Sequence, residues 1–288
     1  MSTAVQPTAD VLSLERIGDE TFLGRSATST LPKLFGGQVS AQALLAAGRT
    51  VGAGRELHSL HSYFLRPATV TDAIEYRVTS LRESRSFSTR QVLAEQNGKL
   101  IFNMTASFHL HEEGFQHQVQ MPEVPHPSDI RATEPINSDL QARWKAEWPT
   151  WQMKPVPVGL YTPQHPTAVP MWFRLHEELP DEQLIHSCAL AYSSDMTLLA
   201  TTITLHGLPA ANHGLQASSL DHVMWFHTRF RVDEWLLHYQ SSTVSADGRG
   251  LNHSQIFTED GRLVAHVAQE GLFRDPRQRA ADGIPHQP

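Results

Sequence analysis

Apolar and polar residues alternate along two blocks of this chain, and in each block the alternation follows a helix-like stretch. Residues 36–51, GGQVSAQALLAAGRTV, open on a glycine pair and carry Ala41, Ala43, Ala46 and Ala47, which predicts a slim helix able to lie close against a sheet. Four strand-like runs follow, LHSLHSYFLR, AIEYRVTSLRE, FSTRQVLAEQ and KLIFNMTASFHL, with Asn97-Gly98 between the last two as a tight-hairpin signal. The order then recurs. Residues 181–202, DEQLIHSCALAYSSDMTLLATT, set Leu184, Cys188, Tyr192 and Leu199 on one stripe and predict a second helix. SLDHVMWFH, EWLLHYQSSTVS, LNHSQIFTE and RLVAHVAQEGLF read as strands, with Asp260-Gly261 closing the last hairpin. Ser59 and Ser219 stand 160 positions apart, Gly98 and Gly261 163, a drift that small loop insertions produce. A helix and then an antiparallel sheet, written twice, predicts an α+β architecture made by duplication.

Ten of the eighteen prolines fall between Glu112 and Pro170, where a fixed φ and a missing donor discourage regular structure. The expected organisation is an N-terminal repeat over 1–115, a Pro-rich linker over 116–165 and a C-terminal repeat over 166–288. At 288 residues, two cores are the natural expectation.

Composition narrows the function classes. Hydrophobic residues make up 40% of the chain and no run approaches the roughly 20 apolar residues of a membrane span, so no membrane partner is expected. A net charge of −7 disfavours nucleic acid, whose phosphates want a basic face. The N-terminus lacks a basic start followed by an apolar block, and the single cysteine, Cys188, rules out an intrachain disulfide; a cytoplasmic location is the expectation.

The spacings of a G-x-S-x-G elbow, a P-loop and an HExxH helix are absent. GAGREL, residues 52–57, imitates a dinucleotide loop but follows a helix and lacks the third glycine. The seventeen histidines are scattered without carboxylates at ligand offsets, so no metal site is expected, and Cys188 on an apolar stripe reads as an inert thiol. Asp195 stands out in LAYSSDMTLLA, where a carboxylate must reach solvent, end the helix, or be held by partners in a cleft. Ser219 sits at the head of a strand, on the alternating face of Asp221 and Val223, and reads by itself as structural. Gln269 reads by itself as a cross-strand hydrogen-bonder.

The segments FGGQVSAQAL, LHSLHSYFLRP, AYSSDMTLL, SLDHVMWFHTRFRVDEWLL and AQEGLFR resemble the signature segments of the type II acyl-CoA thioesterases, from about Leu34 to Arg274. The resemblance implies a double hotdog fold, two tandem helix-wrapped antiparallel sheets. It also implies hydrolysis of medium- to long-chain acyl-CoA to free fatty acid and CoA, without cofactor or metal. It assigns the catalytic set to Asp195, Ser219 and Gln269, serine standing where a threonine also occurs in the family, and leaves Asp221 and His222 to shape the strand, with a supporting part in the site open to them.

Those residue types suit the chemistry. A thioester carbonyl is electrophilic and its thiol leaves readily, with a pKa of about 8.5, so the task is to make and place a nucleophile. Asp195 can take a proton from water while Ser219 and Gln269 hold that water, and backbone N–H groups near Gly36 and Gly37 are the expected oxyanion donors. A covalent route through Ser219 stays open. So do two other readings: a hydratase or dehydratase on the same fold, and a non-catalytic acyl-CoA binder. Acyl-CoA is the expected small-molecule partner, and the flat edges and faces of hotdog sheets imply a homo-oligomer.

Overall fold

The computed structural model describes residues 8–27, 29–130, 138–164, 166–206 and 215–274. Helix α1 (Thr8–Val11) and strands β1 (Leu14–Arg16) and β2 (Thr21–Gly24) precede helix α2 (Gly36–Gly48) and strands β3 (Arg55–Phe64), β4 (Ile74–Glu83), β5 (Phe87–Gln96) and β6 (Lys99–Leu110). Helix α3 (Ser138–Glu147) and strands β7 (Trp151–Pro155) and β8 (Ala168–Leu175) lead into helices α4 (Gln183–Ser194) and α5 (Leu198–Leu205). Strands β9 (Gln216–Ser219), β10 (Asp221–Phe226), β11 (Leu236–Ala246), β12 (Arg249–Thr258) and β13 (Leu263–Arg274) follow.

Among the described residues these strands form one antiparallel sheet in the order β1-β2-β4-β5-β6-β3-β10-β13-β12-β11-β8-β7, with β9 on β13 in line with β10. β3 and β10 pair directly, Ser62 opposite His222, and this ladder joins the two halves of the chain. The hairpin between β5 and β6 turns on Asn97 and Gly98, both at positive φ, as their sequence predicts.

Helix α2 is buried from Gly37 to Ala47 and lies against α4 and the inner face of β4, β5 and β6. Its alanines permit that close approach. Its buried Gln42 is satisfied by the chain that precedes the helix and by the sheet: Nε2 donates to Val11 O and Arg25 O while Tyr76 Oη donates to Oε1. The expectation of two cores does not hold. One apolar cluster runs from Leu44 through Leu60 and Phe102 to Leu190, Met224 and Val267, because the helices pack on each other and the sheet is continuous. A smaller cluster of Ile130, Val156, Trp172, Leu237, Phe257 and neighbours lies apart from it.

Three local expectations also change. The stretch 116–165 holds α3 and β7, not only linker; Pro155 is tolerated because β7 lies at the end of the sheet order, where its missing donor costs no ladder bond. Trp172 Nε1 ties the irregular part down by donating to Pro125 O. The second helix breaks at Asp195, which is the C-cap of α4. Ser193 donates its hydroxyl to Leu190 O and Ser194 Oγ lies 3.1 Å from Ala191 O, local side-chain contacts that compete with the helix and favour its end.

The strand expected over 219–227 is interrupted at Leu220. Ser219 pairs with Gly271 and Val223 with Ala268, so four steps on one strand face three on the other. This bulge moves Ser219 off the outward face of Asp221 and Val223 and onto the inward face of His222 and Met224. No described helix is long and apolar enough to cross a membrane.

Candidate active site

The break after α4, the bulge before β10 and the late strand β13 bring Asp195, Ser219 and Gln269 to one point. Ser219 Oγ donates to Asp195 Oδ1 at 3.2 Å, Gln269 Nε2 donates to the same oxygen at 2.5 Å, and Gln269 Nε2 also reaches Ser219 Oγ at 2.9 Å. Gln269 is fully buried and Asp195 is 8% exposed. The residues that the sequence read separately, as a helix end, a strand serine and a cross-strand amide, therefore share a single hydrogen-bonded cluster.

The fourth partner comes from the other half of the chain. The N-cap of α2 is Phe35, which offers no side-chain acceptor, and the Gly37 backbone N–H donates to the Asp195 carboxylate instead. Asp195 thus does for α2 what an N-cap aspartate does from within a helix. The positive end of the α2 dipole faces the same carboxylate. Glycine is required on both sides of this contact. A Cβ on Gly36 would stand 2.9 Å from Asp195 Oδ2 and 2.8 Å from the Phe64 ring, and one on Gly37 would overlap the Tyr192 carbonyl.

This geometry corrects one expectation: the Gly37 N–H serves the carboxylate and is not free for an oxyanion. Desolvation dominates the electrostatics of the cluster. Burial pushes the Asp195 carboxyl up to about 6, against the hydrogen bonds from Gln269, Ser219 and Gly37 that favour its ionised form. A carboxylate so tuned is a stronger base than a surface aspartate and is still mostly ionised at pH 7.

The flanking strand residues have separable tasks. Asp221 Oδ1 accepts from the Glu270 backbone N–H, which stabilises the bulge beside Ser219. His222 is fully buried, with Nε2 at 2.8 Å from Ser194 Oγ. Sequence reasoning did not place Ser194 at the site and left a supporting part for His222 open; the available signal was a histidine at an inward position among Met224 and Phe226.

Other residues singled out by sequence lie elsewhere. His58 meets Ser107 Oγ at 2.8 Å, and His61 packs edge-on to Trp225. Cys188 is sealed in the core, where burial pushes its thiol up. GAGREL spans the turn from α2 into β3, with Gly54 at φ 82°. No group of three or more His, Cys, Asp or Glu among the described residues could hold a metal.

Comparison with known proteins gives the family of the chain. A family model described as acyl-CoA thioesterase N-terminal domain matches residues 25–109, and one described as acyl-CoA thioesterase matches residues 145–272. The chain is 37% identical over 286 residues to acyl-CoA thioesterase 2 of Haemophilus influenzae, covering 95% of this chain and 99% of that protein. The crystal structure of acyl-CoA thioesterase II TesB2 from Mycobacterium marinum superposes with a TM-score of 0.84 at 39% identity, covering 94% of this chain and all of that one. A hot dog fold protein of unknown function from Alicyclobacillus acidocaldarius shares the fold, with a TM-score of 0.75 at 20% identity over 94% of this chain and 100% of that chain. The chain adopts an α+β hotdog fold, belongs to the type II acyl-CoA thioesterase family, and is a thioester hydrolase.

Proposed function

We propose that this protein hydrolyses medium- to long-chain acyl-CoA to free fatty acid and CoA, using a water molecule activated by Asp195 and positioned by Ser219 and Gln269. The observation that carries this reading is the convergence of Ser219 and Gln269 on Asp195 Oδ1, beside the N-terminus of α2. Water oxygen attacks the thioester carbon while its proton passes to the Asp195 carboxylate. The tetrahedral adduct collapses with cleavage of the C–S bond, and the departing sulfur takes the proton back from Asp195. With a thiol pKa of about 8.5 this last transfer is undemanding. The raised Asp195 pKa brings the base nearer to the working pH, where general-base assistance is most effective.

A second route is favoured by one contact: the Ser219 hydroxyl donates directly to Asp195, as a serine nucleophile would need. In that route Ser219 Oγ attacks the thioester carbon and passes its proton to Asp195, the C–S bond breaks with the departing sulfur taking that proton, and water then cleaves the Ser219 ester to release the free acid. Thiol release from acyl-CoA, followed with a thiol reagent across chain lengths, tests the activity, and intact-protein mass spectrometry during turnover tests for the acyl-serine adduct. No thiol release at any chain length, or wild-type turnover by Asp195→Asn, would remove the proposal.

We read the architecture as a double hotdog with repeats over 1–115 and 166–288. Its support is positional: β4-β5-β6-β3 on one side of the central ladder is answered by β10-β13-β12-β11 on the other, each half with its own buried helix. A homo-oligomer in a cytoplasmic setting completes the reading. Tyr63 and Trp225, 59% and 39% exposed on the outward side of the β3–β10 ladder, support self-association, which light scattering of the purified protein measures.

A further inference from the structure

Behind the cluster lies a second layer of buried polar groups that the mechanism above does not use. Gln269 Nε2 is committed to Asp195 and Ser219, but its other amide atom, Oε1, is sealed from solvent with no hydrogen bond of good geometry. On the adjacent strand, His222 Nδ1 is in the same condition, and the two side chains lie within interaction range of each other. His222 Nε2 is held at 2.8 Å by Ser194 Oγ, the hydroxyl of the residue that precedes Asp195.

We propose that His222 is a positioning residue for this hydrolase: Ser194 directs its one hydroxyl proton to Nε2 at 2.8 Å in preference to Ala191 O at 3.1 Å, and the imidazole keeps its single proton on Nδ1 and gives it to Gln269 Oε1, fixing which end of the amide faces Asp195. The inference rests on the reading of Asp195, Ser219 and Gln269 as the catalytic set.

The need for such a residue follows from the amide itself. Its two ends have nearly the same shape and opposite polarity. Rotated by a half turn, Gln269 would set an acceptor against the Asp195 carboxylate and withdraw its donor from Ser219. Contacts to Asp195 and Ser219 reward one orientation, and a donor at the far end is the other half of the constraint. Only the Nδ1–H tautomer supplies it. The opposite tautomer would set a lone pair against Oε1 and leave both buried atoms unsatisfied. Burial lowers the His222 pKa to about 4, so the ring stays neutral at working pH and carries one proton to allot. The hydrogen bonds then run in one direction, Ser194 to His222 to Gln269 to Asp195, and the chain closes on itself because Ser194 and Asp195 are neighbours in sequence.

The test uses His222→Leu and His222→Asn in the full chain, with steady-state kinetics on one acyl-CoA. Asn branches its Nδ2 from the same Cγ as the histidine Nδ1 and can restore the donor. His222→Leu should lower kcat by about 10- to 100-fold with KM little changed, the effect of a misplaced catalytic group, and His222→Asn should recover most of it. In a Gln269→Ala background, His222→Leu should cost nothing further. Equal losses in Leu and Asn, or a full additional loss in the Gln269→Ala background, overturns the proposal in favour of a packing role. Wild-type kcat in Gln269→Ala alone overturns the catalytic reading beneath it, a distinct outcome. Should His222→Leu fail to fold, Ser194→Ala carries the test by freeing the tautomer: a fall in kcat at constant KM supports the proposal, and an unchanged kcat overturns it.

Discussion

Replacing Asp195 by asparagine should separate catalysis from stability in opposite directions. The carboxyl is buried and its pKa is raised from 3.8 to about 6, so ionising it costs more in the folded chain than in the unfolded one. The sign follows from linkage. Below pH 3.8 the group is protonated in both states and carries no penalty; as pH rises through about 6 the unfolded state has released its proton first, and stability is lost. The rise from 3.8 to about 6 corresponds to about 3 kcal/mol at pH 8 and to about half of that at pH 5. The asparagine variant would carry no such penalty, although its amide would present a donor toward the Gly37 N–H or surrender a partner, which offsets part of the gain.

Urea unfolding of wild type and Asp195→Asn at pH 5 and pH 8 measures the difference. The variant should gain on wild type by about half of that 3 kcal/mol between the two pH values, whatever its absolute stability. Its kcat should fall by about 10²- to 10⁴-fold, the loss of a general base. A stability difference that does not change with pH would refute the claim that Asp195 is a strained, ionisable carboxylate, and unchanged turnover would refute its role as the base.

Four further outcomes follow from the same structure. The pH profile of kcat/KM should fall tenfold per unit below about 6 with a single ionisation, as Asp195 takes up its proton; a limb near 4 would contradict the raised pKa. Gly36→Ala should lower kcat by about 10-fold or more, because its Cβ presses on Asp195 Oδ2 and Phe64, and wild-type kcat in a folded variant would contradict that contact. Acid should destabilise the protein between pH 6.5 and 4.5: burial lowers His222 to about 4 and His238 to about 3, so the unfolded state binds protons first, costing together about 5 kcal/mol against about 2 kcal/mol regained at Asp195. A urea midpoint as high at pH 4.5 as at pH 7 would contradict this. Cys188 should resist alkylation in the native chain and react once unfolded, since it is sealed and its thiol pKa is raised; rapid native labelling would contradict its burial.

The strand text from Ile74 to Leu110 and from Arg249 to Arg274 was legible because these strands bury mostly one face, so a period of two is written in the residues. The Asn97-Gly98 turn was legible because positive φ selects those residues. The strands β1, β2 and β7, only 3 to 5 residues long, are too short for a period to stand out, and β8 is almost continuously buried, so these are specified by the neighbours they pair with.

At the site, sequence determined the cast: the resemblance pointed to Asp195, Ser219 and Gln269, and the chemistry of a carboxylate, a hydroxyl and an amide limited what they could do. Tertiary structure decided the rest. The one-residue bulge at Leu220 turns Ser219 inward, and a strict alternation would have left it facing out with Asp221. The packing of α4 on α2 delivers the Gly37 N–H to a carboxylate far along the chain, and adjacent strands align Gln269 with His222. Local residue preferences encode faces and turns within a segment. Which atoms meet across segments depends on register and helix packing, and these are set by the whole core at once.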